Sequence, residues 1–352
     1  MIRLPSFRYR APSTVDEAAR ILADHAPGDA RLLAGGTDLL PNMKRRQQVP
    51  VTVVGLRRIE ELRAIAGDAG LTLGAGVSLT RLTREPRVRE SYRGLWQAAV
   101  QVATPHLRNM ATLGGNLCAD TRCNYYDQSQ EWRAAIGFCM KKDGDVCWVA
   151  PGSSTCLAVS STDLAPMLVA LGARVTLAGA AGRRQIPLTD LFLRDGIDYL
   201  TRNHDEVLTA VELDPADGWR STYWKLRRRG AFDFPVLSVA AAIRQDGDGP
   251  VQDARIVLGA IASRPVEAGD AAAALTGRTL DDDTLAEVAH QAARVAKPMD
   301  NTDFGLHWRK RMATALVRHA LAELRGDDMT AVRTRLARWP VIPDAGSSGA
   351  DI

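Results

Sequence analysis

Cysteine is the residue type with the clearest capacity for chemistry here, because five cysteines fall within one short stretch between Cys118 and Cys156. Four of them, Cys123, Cys139, Cys147 and Cys156, are separated by 15, 7 and 8 intervening residues. The sequence has none of the Cys-x-x-Cys knuckles that most zinc fingers and ribbons use. A 4Fe-4S cluster needs four thiolates that converge on a body larger than one ion, and widely spaced cysteines on a wrapped segment can provide them.

The spacing leaves two other interpretations of these four cysteines open. They are ordinary buried or surface thiols, or they hold a zinc ion that stabilises a binding module without redox activity. Cys118 precedes the set and is interpreted as a packed thiol rather than a ligand. A reducing compartment favours metal binding over disulfides.

Two glycine pairs form the second candidate site, within residues 35–38 (Gly-Gly-Thr-Asp) and residues 112–116 (Thr-Leu-Gly-Gly-Asn). A glycine lets the backbone approach a ligand closely, so consecutive N–H groups can converge on an anion such as a phosphate. Each pair alone is equally compatible with a simple turn. The competing dinucleotide fingerprint, Gly74-x-Gly76, lacks its third glycine because Leu79 stands there, so it is set aside.

Acid–base or nucleophilic catalysis is not indicated by any Ser/His/Asp or Cys/His arrangement, and the six histidines are spread thinly. His106 precedes the second glycine pair, where it either approaches a phosphate or flavin or is an ordinary surface or core histidine. We therefore predict no catalytic residue toward an organic substrate on this chain.

Composition limits the function classes. The chain has 352 residues, 46% of them hydrophobic, which is enough for a large core and two or three domains. A net charge of +4, from 45 basic and 41 acidic residues, is too balanced for a nucleic-acid footprint. There is no run of eighteen apolar residues and no apolar secretory leader, so we expect a cytoplasmic protein that does not enter a membrane.

The elements that must position these residues follow from periodicity and turn signals. Thr14, with Glu17 three residues later, predicts a helix that starts near Val15. Residues 119–156 have no helical or strand period but contain five aromatic residues, which favours a functional segment over disorder. Predicted strands cover residues 30–34, 51–56, 71–77, 174–177, 206–213, 222–226, 236–244 and 254–261, and predicted helices 78–84, 91–103, 164–171, 282–296 and 306–324. Residues 340–352 are predicted to be a flexible tail.

Three segments resemble a known family. Residues 32–41 and residues 111–117 are similar to the two FAD-pyrophosphate loops of the flavoprotein subunits of the xanthine dehydrogenase and carbon monoxide dehydrogenase family. Residues 161–166 are similar to the stretch whose aspartate, here Asp163, contacts the cofactor. The similarity extends from about residue 7 to residue 324.

Within that family, the segment from Cys118 to Cys156 most resembles the β subunits of 4-hydroxybenzoyl-CoA reductases. This resemblance implies a 4Fe-4S cluster with Cys123, Cys139, Cys147 and Cys156 as its ligands. It implies reductive removal of a phenolic hydroxyl on a molybdenum-cofactor subunit, with a 2Fe-2S subunit as second partner in a heterotrimer or its dimer, and ferredoxin or another one-electron carrier as donor. In the alternative, electrons flow in the opposite direction, and the chain serves a molybdenum hydroxylase that oxidises an aldehyde or an N-heterocycle.

The same resemblance implies an α+β fold. We expect an FAD-binding domain of the vanillyl-alcohol-oxidase (PCMH) type with two subdomains over residues 1–217, in which residues 119–157 are the iron–sulfur insertion. A flavoprotein C-terminal domain over residues 218–327 and a tail over residues 328–352 would follow. We expect that Cys139→Ser, which should abolish the cluster, leaves FAD largely bound. The implied FAD contacts are Leu32, Leu33, Ala34, Gly35, Gly36, Thr37, Asp38, Leu39, Val102, Thr112, Leu113, Gly114, Gly115, Asn116, Asn124, Asp163, Leu188 and Lys225.

Overall fold

The computed structural model describes residues 3–338 of the chain. Its strands are β1 Arg8–Arg10, β2 Ala30–Leu33, β3 Thr52–Gly55, β4 Ile65–Ala66, β5 Leu71–Gly74, β6 Arg174–Gly179, β7 Gly182–Pro187, β8 Val207–Leu213, β9 Trp219–Leu226, β10 Leu237–Gln245, β11 Val251–Gly259 and β12 Val266–Glu267. Its α-helices are α1 Val15–Ala23, α2 Leu39–Lys44, α3 Leu79–Arg84, α4 Pro86–Glu90, α5 Arg93–Val100, α6 Pro105–Met110, α7 Leu113–Leu117, α8 Gln130–Ala135, α9 Leu164–Ala170, α10 Gly269–Leu275, α11 Asp282–Ala292, α12 Leu306–Arg325 and α13 Thr330–Arg338.

These elements form two compact units whose segments alternate along the chain. Unit 1 contains the described residues up to 82 together with residues 105–157 and 172–215. Unit 2 contains residues 83–104 and 158–171 and the described chain from residue 216 onward. Two short segments therefore belong with the C-terminal part of the chain although they precede it in sequence.

Unit 1 contains two sheets. Strands β1, β3 and β2 form a parallel sheet in that order, with Leu32 opposite Val54. Strands β4, β5, β8, β6 and β7 form an antiparallel sheet. Parallel strands need crossover connections, and α1 provides the crossover between β1 and β2. The first glycine pair follows directly after the carboxyl end of strand β2.

Helix α1 begins where its capping signal predicts. The Thr14 hydroxyl accepts a hydrogen bond from the amide of Glu17, which satisfies a free donor of the first turn. The apolar face of the helix, which includes Ile21 and Leu22, packs with Val54 and Val207 in the core of unit 1. This packing holds the helix against both sheets of the unit.

Unit 2 is built on the antiparallel sheet β12-β11-β10-β9. Side chains alternate between its two faces. Val239, opposite Trp224 and Leu258, belongs to the core that also contains residues of α10, α11 and α12. On the other face, a Cβ at Gly259 would lie 2.6 Å from Cγ of Pro166, which places α9 directly on the sheet. Because both faces are covered, strand β10 is apolar along most of its length.

Three predicted features differ from the observed structure. The second glycine pair lies in a short helix, α7, instead of a loop. The irregular segment contains one helix, α8, and Ser129 caps its start because its hydroxyl accepts a hydrogen bond from the Trp132 amide. Residues 330–338, assigned to the tail, form α13 because Val332 and Leu336 pack on the core of unit 2. The predicted tail over residues 340–352 lies outside the described residues.

Membrane insertion was not expected. Among residues 3–338, no helix combines the length and the apolar character that crossing a bilayer requires.

Candidate cofactor-binding site

The first glycine pair, at the carboxyl end of β2, presents a row of free donors. Within residues 3–338, the backbone N–H groups of the four consecutive residues 35–38 donate no hydrogen bond. Gly36 has a φ of +74°, in the left-handed region that favours glycine. Successive free amides on such a turn form a concave site for an anion. This loop is therefore suited to bind a phosphate without a basic side chain.

Close backbone contacts explain why glycines occupy this site. A Cβ at Gly35 would lie 1.9 Å from the carbonyl oxygen of Met110, at the end of α6. A Cβ at Gly115 would lie 3.8 Å from Cβ of Ala34, so the two glycine segments are neighbours within unit 1. The structure thus brings together the two segments that the sequence linked only by their composition.

The second glycine segment differs from the first in its backbone hydrogen bonds, and its predicted contacts with FAD stay a prediction. Its amides already donate within the chain, those of Leu113 and Gly114 to the carbonyls of Val77 and Ala75, and that of Gly115 to the Thr112 hydroxyl. A Cβ at Gly114 would lie 2.7 Å from Cβ of Ala75. The glycines of α7 therefore permit close packing, and the free amides belong to the first segment.

The remaining unit 1 residues predicted to contact FAD lie at varied positions. Leu32 and Leu33 are half-buried in β2, and Leu39 is the first residue of α2. Asn124 is exposed and its carbonyl accepts a hydrogen bond from Gln128. Leu188 is buried and its amide bonds to the carbonyl of Ala173. No measurement of the structure tests their role toward the cofactor, which stays a prediction.

The four spaced cysteines are all buried in unit 1. Cys123, Cys139, Cys147 and Cys156 are 4–8% exposed, and neither they nor the half-buried Cys118 form a disulfide. The amides of Tyr126 and Asp127 bond to the carbonyl of Cys123, and the Met140 amide bonds to the carbonyl of Val146, beside Cys147. Backbone turns thus fold the irregular segment around its thiols.

Cys123 lies close enough to Cys156 and to Cys139 to interact with each of them electrostatically. Burial raises the pKa of Cys123 to about 12, and the nearby Cys156 and Cys139 contribute to the increase. Among the described residues, no three Cys, His, Asp or Glu side chains meet as they would around a single metal ion. The four thiols therefore do not form a single-ion site among these residues, and the zinc and 4Fe-4S interpretations both stay predictions. A cluster larger than one ion requires wider thiolate spacing.

Charged residues in the cysteine segment form buried ion pairs that the sequence analysis did not identify. The ammonium of Lys141 lies 2.9 Å from a carboxylate oxygen of Asp120, and both side chains are 5% exposed. Arg122 pairs with Asp38 and Asp127. Only Arg122 directly precedes a cysteine, which is a weak signal, because an irregular segment has no period from which to predict burial.

In unit 2, Asp163 and Lys225 form a buried pair. The Lys225 ammonium donates to Oδ2 of Asp163 at 3.0 Å, and the Tyr223 hydroxyl donates to Oδ1 at 2.7 Å. Lys225 also donates to the carbonyl of Gln101 at 3.1 Å. Asp163 precedes α9 but does not cap it, because its carboxylate binds these side chains instead. Val102, the other predicted contact in this unit, is 9% exposed.

Burial sets the titration of this pair. Desolvation raises the pKa of the Asp163 carboxyl and lowers the pKa of the Lys225 ammonium, while the attraction between the two groups opposes both changes. The pKa of Tyr223 is raised well above its ordinary value, again chiefly by burial. The Tyr223 hydroxyl is therefore a hydrogen-bond donor to Asp163 at neutral pH.

Comparison with known families identifies the class of protein that this fold defines. A family described as "FAD binding domain in molybdopterin dehydrogenase" matches residues 5–215, and one described as "CO dehydrogenase flavoprotein C-terminal domain" matches residues 221–324. The chain belongs to the family of FAD-binding subunits of the molybdopterin dehydrogenases, which includes those of xanthine dehydrogenase and carbon monoxide dehydrogenase.

Individual relatives agree with this assignment. The aldehyde oxidoreductase FAD-binding subunit PaoB of Escherichia coli (strain K12) is 33% identical over 343 residues, which cover 91% of this chain and 100% of the relative. The carbon monoxide dehydrogenase medium chain of Hydrogenophaga pseudoflava is 27% identical over 319 residues, covering 90% of this chain and 96% of the relative.

Solved structures confirm the predicted fold class. A carbon monoxide dehydrogenase from Hydrogenophaga pseudoflava matches with a TM-score of 0.74 and 27% identity over 92% of this chain and 99% of that chain. Quinoline 2-oxidoreductase from Pseudomonas putida 86 matches with a TM-score of 0.72 and 27% identity, covering 92% and 98%.

Proposed function

We propose that this chain is the electron-transfer subunit of a molybdenum-containing oxidoreductase complex, and that it holds both FAD and a 4Fe-4S cluster. The observation that carries the flavin assignment is the row of free amides at residues 35–38 in a chain of an FAD-binding family. When bound, FAD exchanges electrons singly or in pairs, whereas the cluster exchanges them singly.

The residues of unit 1 fit the diphosphate of FAD. Four consecutive neutral donors lie on one turn, and the Met110 carbonyl lies so close to Gly35 that only glycine fits there. Gly115 of the neighbouring helix α7 lies beside Ala34, directly before the loop, and its amide is held by the Thr112 hydroxyl. We propose that the chain binds, orients and shields the cofactor through these backbone groups and takes no acid or base role toward the substrate.

The cluster assignment depends on the donor set. Four thiols within one segment are each at most 8% exposed, and Cys123 lies within electrostatic range of Cys139 and Cys156. A buried thiol with a pKa near 12 is protonated and poorly nucleophilic at neutral pH. Binding of the iron cluster would displace thiol protons, and it would give the four cysteines buried in this segment a common function.

For the reaction of the complex, we propose oxidation of an aldehyde or an N-heterocycle. Relatives carry names that include aldehyde oxidoreductase and nicotinate dehydrogenase, and a structural match is named quinoline 2-oxidoreductase. The second candidate is reductive dehydroxylation by a 4-hydroxybenzoyl-CoA reductase, with ferredoxin as donor. The resemblance of the four-cysteine segment to that enzyme's β subunit favours it.

Analysis of the complex purified with its partner chains tests the proposal. We expect flavin and four irons per copy of this chain, beyond the iron of any 2Fe-2S subunit, together with molybdenum. Bleaching of the flavin absorbance by aldehydes or N-heterocycles supports the oxidative direction. Turnover of 4-hydroxybenzoyl-CoA with reduced ferredoxin supports the second candidate. Zinc in place of iron, with no flavin, would contradict both.

A further inference from the structure

Asp38 belongs to the first glycine loop, yet its carboxylate binds the cysteine segment. It accepts hydrogen bonds from the guanidinium of Arg122, from the backbone amide of Asp120 at 3.1 Å and from Nδ2 of Asn42 at 3.2 Å. Asp38 stands at the N-cap position of α2 but makes no capping bond with its side chain. An aspartate at this position ordinarily caps its own helix. Here it instead connects two segments that lie 84 residues apart.

Arg122 is the opposite half of this connection and directly precedes Cys123. Its side chain is 8% exposed and also donates to Oδ1 of Asp127 at 3.0 Å and to Oδ1 of Asn42 at 3.2 Å. Asp38 and Asp127 therefore share one buried cation, which burial alone would disfavour. The amide of Asp127 bonds in turn to the carbonyl of Cys123 at 2.8 Å. The position of Cys123 is thus tied to the position of Asp38.

Further hydrogen bonds join the chain that follows the glycine loop to the cysteine segment. The guanidinium of Arg45 pairs with Asp127, and the backbone carbonyl of Arg45 accepts a hydrogen bond of 2.9 Å from Arg133. The side chain of Gln48 donates to Asp120 at 3.0 Å. All of these contacts lie within unit 1. The cysteine segment is therefore built onto the loop and helix α2, which does not support the expectation that it is a separable addition.

We propose that the Asp38–Arg122 ion pair couples the two cofactor sites, so that cluster occupancy strengthens FAD binding and FAD strengthens retention of the cluster. This inference rests on the proposed function. Asp38 acts in it as a positioning residue: it fixes the turn whose amides face the diphosphate, while its carboxylate is occupied by protein groups. Thermodynamic linkage requires the coupling to be equal in both directions.

The test measures the dissociation constant for FAD of the full-length chain, with its cluster and after anaerobic removal of iron by a chelator. In the wild type we expect iron removal to weaken FAD binding by about tenfold, within the usual range of coupling between sites. In Arg122→Gln, FAD binding should already be weakened, and iron removal should change it by less than about twofold. Asp38→Asn should weaken FAD binding as Arg122→Gln does, and the double variant should bind FAD no more weakly than either single variant.

Arg174→Gln is the matched control, since it removes an exposed arginine–carboxylate pair, with Asp214 at 2.8 Å, in the same unit. It should leave FAD binding and iron content unchanged. An FAD dissociation constant that is the same with and without iron in the wild type would overturn the coupling, while FAD binding itself would uphold the proposed function. This wild-type comparison decides the question even if Arg122→Gln does not fold. A wild-type chain that binds no FAD would overturn both.

Discussion

Glu323 accepts a hydrogen bond of 2.9 Å from the indole Nε1 of Trp224, and the same carboxylate pairs with Arg333 of α13. The guanidinium of Arg333 lies 4.1 Å from the centroid of the Trp224 ring. These contacts attach the last described helix to the sheet of unit 2.

The Glu323 contacts predict a dependence of stability on pH. Burial alone would raise the pKa of Glu323, but the hydrogen bonds and charge of Arg333 outweigh burial and lower the pKa below its ordinary value of 4.5. The stabilisation is therefore present above pH 4.5 and is lost as the pH falls through the lower value of the folded protein. Glu323→Gln should lose about 1–3 kcal/mol in urea unfolding at about pH 7. The difference from wild type should shrink below about pH 4, and a constant difference would contradict the assignment.

The Asp163–Lys225 pair predicts an asymmetric response to substitution. Lys225→Met leaves a buried carboxylate without its cation, which typically costs about 3–5 kcal/mol. Urea unfolding should show this loss, and the double variant with Asp163→Asn should recover part of it. If the single and double variants were equally unstable, the charge of Lys225 would not be the cause. A parallel measurement on Arg174→Gln should show at most about 1 kcal/mol.

Gly35 should tolerate no side chain. In Gly35→Ala the new Cβ would meet the Met110 carbonyl oxygen at 1.9 Å, so the loop must move and its free amides change position. FAD binding should weaken by at least about tenfold, or about 1.4 kcal/mol, in a fluorescence titration. Gly152→Ala, where no atom lies within 4 Å of the new Cβ, is the control and should bind FAD normally. Equal affinity of the two variants would place the diphosphate elsewhere.

The cysteines should separate into ligands and a bystander. Cys139→Ser removes one of four buried thiols and should abolish the iron–sulfur absorption and lower the iron content by about four atoms per chain, the iron of one 4Fe-4S cluster. Cys118→Ser, which changes a cysteine outside the set of four, should retain the iron–sulfur absorption and the iron content. Metal analysis should include zinc, because zinc bound by the wild type and lost from Cys139→Ser would identify a different metal site. Loss of iron from both variants would contradict the assignment of four ligands.

The sequence predicts the fold well where signals are local. Thr14 and Glu17 define the start of α1, and the continuous apolar run of β10 marks its strand, as the structure confirms. The family resemblance, confirmed over residues 5–215, predicts the fold class of the whole chain. The glycine pairs are local signals too, but only the structure distinguishes the free amides of residues 35–38 from the donors already bonded in α7.

Long-range partners account for what the sequence could not predict. Arg122 meets Asp38 and Lys141 meets Asp120 through folds of an irregular segment, where no periodicity indicates which side chains point inward. Helix α13 was missed for the same reason, because its stability comes from packing of Val332 and Leu336 on unit 2 rather than from its own composition. Arg227, within a run of three arginines at residues 227–229, is only 8% exposed, which the basic run itself does not predict.

The neutral donors of residues 35–38 have a consequence for the conditions under which the protein can work. Amide groups do not ionise, so the attraction of this loop for a diphosphate does not depend on the protonation of any side chain within it. Retention of the nucleotide should tolerate acidification until the ligand itself takes up protons, and added salt should displace it less readily than from a lysine cluster.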